Sequence, residues 1–201
     1  MANANTPFGL APVRYLNGAP WNGQGRTYYI PSTDTNAYAI GDPVVLAGSG
    51  DANGIASVTI LTPGSGILGA ILGFGGSVYG GPGAIPGSLE STIIPATKTI
   101  GYYVFVCDDP WVIFEVQEVS GGTQLAATDI GLNTNLSSGT NSGYLSGWQL
   151  ANASKATTSS LDVKLLGLSQ RKQTTPNAFG AYAKWEVLLN NHMFKAGTTG
   201  K

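Results

Sequence analysis

Apolar and polar residues alternate with a period of two in several short stretches of this chain, and a helical period is almost absent. Val112, Phe114 and Val116 point one way, with Glu115 and Gln117 on the other side, so residues 111–119 predict the best-defined strand. Trp185, Val187 and Leu189 alternate with Lys184, Glu186 and Leu188, which predicts a strand over 183–189. Residues 161–165 alternate as cleanly, and 55–61 place Val58 and Ile60 against Ser57 and Thr59. Residues 102–106 form a near-continuous apolar β-run, the mark of a strand covered on both faces. Shorter signals lie at 26–30, 38–46 and 93–94.

Glycine and proline punctuate these runs. Gly41-Asp42-Pro43, residues 48–54, Thr62-Pro63-Gly64, Gly80-Gly81-Pro82-Gly83, Asp108-Asp109-Pro110, Gly121-Gly122 and the polar run 171–177 read as turns or loops. Residues 64–76 are apolar but studded with glycine, and Val78-Tyr79 is a short apolar pair. Residues 120–160 are rich in Ser, Thr, Asn and Gly and predict a loop-rich excursion with short strands. Many short strands separated by such turns predict an all-β fold, an antiparallel β-barrel or sandwich with loop-rich insertions.

Four prolines, at 7, 12, 20 and 31, exclude a continuous helix or a long central strand over residues 1–36. This region predicts an extended N-terminal arm with one short strand at 26–30. Its aromatics, Phe8, Tyr15, Trp21, Tyr28 and Tyr29, are too many for a free tail. The arm is therefore expected to lie against its own body or against a neighbouring subunit. Residues 37–195 form the β-rich body, with 120–195 as a possible second lobe, and 196–201 are expected to fray.

Composition narrows the function. Charged residues make up 10% of the 201 positions, against about 25% in an average domain. The net charge of −1 leaves no basic excess to neutralise phosphates, which excludes a nucleic-acid binder. A 42% hydrophobic, 9% aromatic chain is not a disordered one, and its length suffices for a core without disulfide or metal support. No stretch is long and apolar enough to span a bilayer, and the first residues lack the pattern of an export signal, so no membrane partner and synthesis in the cytoplasm are expected.

The candidate chemistry is thin. Gly64-Ser65-Gly66-Ile67-Leu68-Gly69 matches the dinucleotide-binding glycine pattern, but Gly69, Gly73, Gly75 and Gly76 oppose the helix that this reading requires. Asp108 and Asp109 precede a proline, as turn-forming aspartates do. Glu115 and Glu118, three apart on a strand, face opposite sides and make no catalytic pair. The single His192 and single Cys107 exclude a multi-histidine metal site and an internal disulfide. Cys107 reads as a small apolar filler and His192 as a structural or surface residue. Neither an enzyme nor a cofactor-binding protein is expected. Trp21 is a candidate intermolecular anchor, because tryptophan is enriched at interface hot spots.

The opening Met1-Ala2-Asn3-Ala4-Asn5-Thr6-Pro7-Phe8-Gly9-Leu10, followed by Pro12-Val13-Arg14 and Leu16-Asn17-Gly18, resembles structural proteins of tailed bacteriophages. So do Ile40-Gly41-Asp42-Pro43-Val44, Asp108-Asp109-Pro110 with Phe114-Glu115-Val116-Gln117, and the segment 177–180. The resemblance implies a capsid decoration, or cement, protein. Such proteins are β-rich homo-oligomers that bind the outside of a shell of major capsid protein with the HK97-type fold. It implies a virion protein on the head exterior with no catalytic residues. A trimer is favoured over a dimer because shells offer threefold sites. Phe8, Arg14 and Trp21 of the arm are the expected capsid or subunit contacts. The alternatives are a tail or baseplate component and a glycan-binding virion module.

Overall fold

The computed structural model describes residues 3–75, 93–171 and 176–201. The expected apolar pair Val78-Tyr79, the loop 80–83 and positions 172–175 of the polar turn lie outside the described residues. The fold is all-β, as the alternation predicts. It joins a closed five-stranded barrel, a six-stranded antiparallel sheet and a small two-stranded sheet.

The barrel runs in the order β2 (Arg26–Ile30), β5 (Ala56–Ile60), β4 (Pro43–Gly50), β6 (Gly69–Phe74) and β8 (Tyr102–Cys107). Its neighbours are antiparallel except β2 and β5, which meet in parallel at Tyr29 and Ser57. The larger sheet runs β1 (Ala11–Tyr15), β9 (Val112–Gln117), β13 (Lys184–Leu189), β12 (Val163–Leu168), β10 (Asn133–Ser137) and β11 (Gln149–Ala156). A parallel bridge from Leu150 in β11 to Glu118, just past β9, curls this sheet back on itself. The small sheet pairs β3 (Tyr38–Ala39) with β7 (Ile93–Ile94).

Two apolar clusters form the core. One fills the barrel with Ile30, Val44, Val58, Ile71, Val104 and Val106. The other lies under the large sheet, around Phe114, Trp185, Val187 and Leu150, and includes Leu61, Ile67, Ala70 and Cys107 from the barrel side. The two halves thus share a core. Each fully buried large side chain contributes about 1.5–3 kcal/mol of transfer free energy.

Several expectations change in detail. The turn expected at Gly41-Asp42-Pro43 divides the stretch 38–46 into β3 and β4, with Pro43 already the first residue of β4. The glycine-studded stretch contains a true strand, β6. Gly69 sits there because a Cβ would stand 2.0 Å from the carbonyl oxygen of Cys107 in the paired strand. No helix follows the glycine pattern at 64–69: Gly64 and Gly66 are turn residues with φ of 84° and 94°. β9 is buried on both faces rather than one. Its second face is covered by the N-terminal segment, where the Thr6 N–H donates to Gln117 Oε1 and Gln117 Nε2 donates to Asn5 Oδ1.

The N-terminal region lies against its own body. It supplies the edge strand β1 of the large sheet as well as the expected strand at 26–30, and its Leu10 N–H donates to Gly41 O at 2.9 Å. The C-terminal residues, expected to fray, are hydrogen-bonded: Lys201 N–H to Gly131 O, Gly200 N–H to Thr157 O, and Thr198 N–H to Asn190 Oδ1.

Candidate functional site

The buried polar groups make internal networks. Glu118 lies inside the large sheet, where three donors converge on its carboxylate: Trp185 Nε1–H at 2.7 Å, the Leu125 N–H at 3.0 Å and Asn152 Nδ2–H at 3.3 Å. Burial pushes its carboxyl up, and these donors pull it back. Asp162 ties the barrel to the sheet by accepting from Gly64 N–H at 2.8 Å and Leu136 N–H at 2.9 Å. Between the connections that follow β2 and precede β8, buried Lys98 donates to Asp34 O, Asn36 O and the Asp34 carboxylate. These groups hold elements together, and each faces inward.

Phe8, Arg14 and Trp21 also find partners within the chain. Phe8 lies under Lys184, whose Nζ is 5.5 Å from the ring centroid. Arg14 pairs with Glu186 on β13, across the intervening strand β9. Trp21 packs on the core cluster that holds Cys107. Burial pushes the Cys107 thiol up to about 12, and the Asp109 backbone N–H and the Trp21 indole act in the opposite direction. Phe8 and Arg14 thus meet β13 at positions 184 and 186, on one face of that strand, while Trp21 packs toward the core.

The open apolar surface lies elsewhere. Trp111 is 51% exposed, Phe194 50% and Leu16 45%. Trp111 closes the Asp108-Asp109-Pro110 turn and immediately precedes β9. The turn fixes it: Asp109 Oδ1 accepts from the Trp111 N–H at 2.8 Å, and Trp111 O accepts from Leu16 N–H at 2.8 Å. Phe194 is placed by the turn after β13. There the His192 Nδ1 accepts from the Phe194 N–H at 3.0 Å, and a parallel bridge joins His192 to Ile67. Burial pushes the His192 imidazole down to about 4, with the Lys195 charge acting in the same direction, so the neutral ring serves as the acceptor.

Two clefts adjoin here. One of about 720 Å³ is lined by Gln24, Arg26, Asp108, Asp109, Trp111 and Phe194. A second of about 460 Å³ is lined by Tyr15, Leu16, Asn17, Asp109 and Trp111. Asp109 and Trp111 belong to both and form the wall between them.

Cations cover the rings. Lys195 Nζ is 4.6 Å from the Trp111 centroid, and the Arg26 guanidinium is 5.6 Å from that of Phe194. Asp108 is turned inward, where it accepts from the Tyr28 hydroxyl at 2.6 Å and pairs with Arg26 at 3.4 Å. It does more than form the turn predicted for it.

The residues of this surface come from the β1 end, the β8–β9 turn and the chain beyond β13. The sequence reading missed it because residues 16, 111 and 194 meet only through the tertiary fold. One signal was present: Trp111 shares strand parity with Glu115 and Gln117 and not with the core residues Val112 and Phe114.

Comparison with known protein families, with curated proteins and with solved structures found no match.

Proposed function

We propose that this chain is a structural virion protein that binds the outside of a tailed-phage head and braces its lattice of major capsid protein. The observation that carries the reading is the exposed Leu16–Trp111–Phe194 surface on a body whose other polar anchors point inward. Clustered exposed aromatics at a cleft are the chemistry of a docking surface. The sequence resemblance to phage decoration proteins supplies the partner, a shell subunit with the HK97-type fold. The near-zero net charge suits a protein that crowds many copies onto one particle.

The mechanism is linkage. A protein that binds the assembled lattice and not the loose subunit stabilises the lattice by RT ln(1 + [L]/Kd). Repeated over many sites, modest contacts resist the outward pressure of packaged DNA. A homo-oligomer, with a trimer favoured over a dimer, matches the threefold sites of such a shell and adds avidity.

The test adds purified chain to shells assembled without it and follows shell melting and bound copies per particle. Saturation at hundreds of copies with a raised shell melting temperature is expected. Binding of only a few copies per particle points to the tail or baseplate instead. Binding to an oligosaccharide in place of the shell points to a glycan-binding module.

A further inference from the structure

Asparagine followed by glycine is a pair open to self-modification, because glycine has no side chain to keep its amide nitrogen away from the asparagine carboxamide. The chain has three such pairs, Asn17-Gly18, Asn22-Gly23 and Asn53-Gly54, and all of these residues are exposed. The local sequence does not rank them, and the fold does.

Two pairs are held in turns that occupy the attacking nitrogen. Gly18 N–H donates to Tyr15 O at 2.9 Å, and Asn17 Oδ1 accepts from the Ala19 N–H at 3.0 Å. Gly54 N–H donates to Asp51 O at 3.2 Å. Asn53 is fixed twice by the Asp51 carboxylate, through its backbone N–H at 2.9 Å and its Nδ2–H at 3.3 Å. At either pair, attack has to break a turn first. Asn22-Gly23 is different. Among the described residues, Gly23 N–H and Asn22 Nδ2–H have no hydrogen-bond partner. The Asn22 carboxamide oxygen meets only the Tyr15 hydroxyl, at 3.5 Å, and that hydroxyl lies nearer to Gln24 Oε1, at 3.2 Å. The pair belongs to no strand, and a Cβ on Gly23 would meet nothing within 4 Å.

We infer that Asn22-Gly23 is a self-modification site, converting to aspartate and isoaspartate ahead of the other two pairs. The Gly23 nitrogen attacks Asn22 Cγ and forms a ring imide. The Cγ–Nδ2 bond breaks, and the nitrogen leaves as ammonia with the proton given up by Gly23. Water then opens the ring at either carbonyl, so one water is consumed, one ammonia is released and nothing is oxidised. The product is a carboxylate beside Tyr15, which lines the smaller cleft together with Asp109. It makes the net charge of −1 one unit more negative. The inference is independent of the virion reading.

The test incubates the folded chain in a mildly alkaline buffer and maps its peptides by mass spectrometry over time. Conversion is read as the small mass gain of hydroxyl over amino, and isoaspartate as a substrate for an isoaspartyl methyltransferase. Circular dichroism establishes that the chain stays folded throughout. Asn22 should convert at least about fivefold faster than Asn17 or Asn53, the factor expected from one hydrogen bond that the other pairs must break. In urea, where the turns are lost, the three pairs should convert at similar rates. Asn22→Gln, whose imide ring needs an additional atom, should abolish conversion at this position and leave the other two rates unchanged.

Equal conversion of the three pairs in the folded chain, faster conversion at Asn17 or Asn53, or no conversion at Asn22 would each overturn the assignment. The same ranking in urea as in the folded chain would trace it to local sequence and overturn the role given to the turns.

Discussion

Trp21 and Trp111 each directly follow a proline, and the fold treats them in opposite ways. Trp21 lies on the core cluster that holds Cys107, in an arm whose Phe8 and Arg14 also find intramolecular partners. Trp111 stands half exposed between two clefts, its backbone held by Asp109 and Leu16 and its ring against Lys195. An aromatic residue in an irregular segment is thus no guide to intermolecular use. The sheet decides. Trp21 follows the loop that bridges back to Arg14 of β1, whereas Trp111 sits in the turn just before β9, ahead of the point where both faces of that strand become covered. One region converts its side chains into stability, and the other leaves them exposed, for adhesion on the function proposed above.

That contrast can be tested on a scale of folding stability, starting inside the large sheet. Glu118→Ala removes the acceptor for three buried donors and leaves a cavity. It should cost about 4 kcal/mol in urea unfolding, and a loss under about 1 kcal/mol would show that the network is not what closes the sheet.

Next comes His192, which supports the turn bearing Phe194. Its folded pKa of about 4 lies below the ordinary 6.5. The unfolded chain therefore takes up a proton as pH falls through 6.5, while the folded chain resists until about 4. The stability it contributes is present above pH 6.5 and lost between 6.5 and about 4, on the order of 3 kcal/mol in all. Asp42, Glu118 and Asp162 act with the opposite sign, since burial raises their carboxyls and favours the fold as pH drops. The readout is therefore a difference: His192→Asn should flatten the acid limb relative to wild type, and parallel profiles would contradict the assignment.

Trp21→Ala should cost about 2 kcal/mol, as expected for a partly buried indole on the core. Arg14→Ala should cost less than about 1 kcal/mol, since its guanidinium is 40% exposed and the pair with Glu186 is screened. Trp111→Ala should change stability least, within about 0.5 kcal/mol, while changing shell binding most. A Trp111 variant that melts well below the wild type would remove the contrast between the two tryptophans.

The strands that were legible are those whose residues alternate or, as in β8, run apolar and β-branched or aromatic throughout. β2, β9 and β13 appear where Arg26–Ile30, Val112–Gln117 and Lys184–Leu189 show β-branched and aromatic patterning. β6 was illegible because its glycines look like a loop; one of them serves a close backbone approach to Cys107 that only the paired strand reveals. β10 was illegible because Asn133-Thr134-Asn135 is polar throughout. Its side chains face bonds made by distant residues, such as Asn133 Nδ2–H to Thr158 O and Thr198 O. The same contacts draw in the tail that local composition marked for fraying. The interaction surface was hidden for a related reason: its members are separated by about half the chain, and strand parity alone set Trp111 apart.

Electron cryomicroscopy of the intact particle, with this chain located and oriented on it, tests the central claim most directly. Hundreds of copies on the head, each with Trp111 turned toward the shell, is the predicted result. A chain confined to the tail, or one seated on the shell with Trp111 facing solvent, would contradict it.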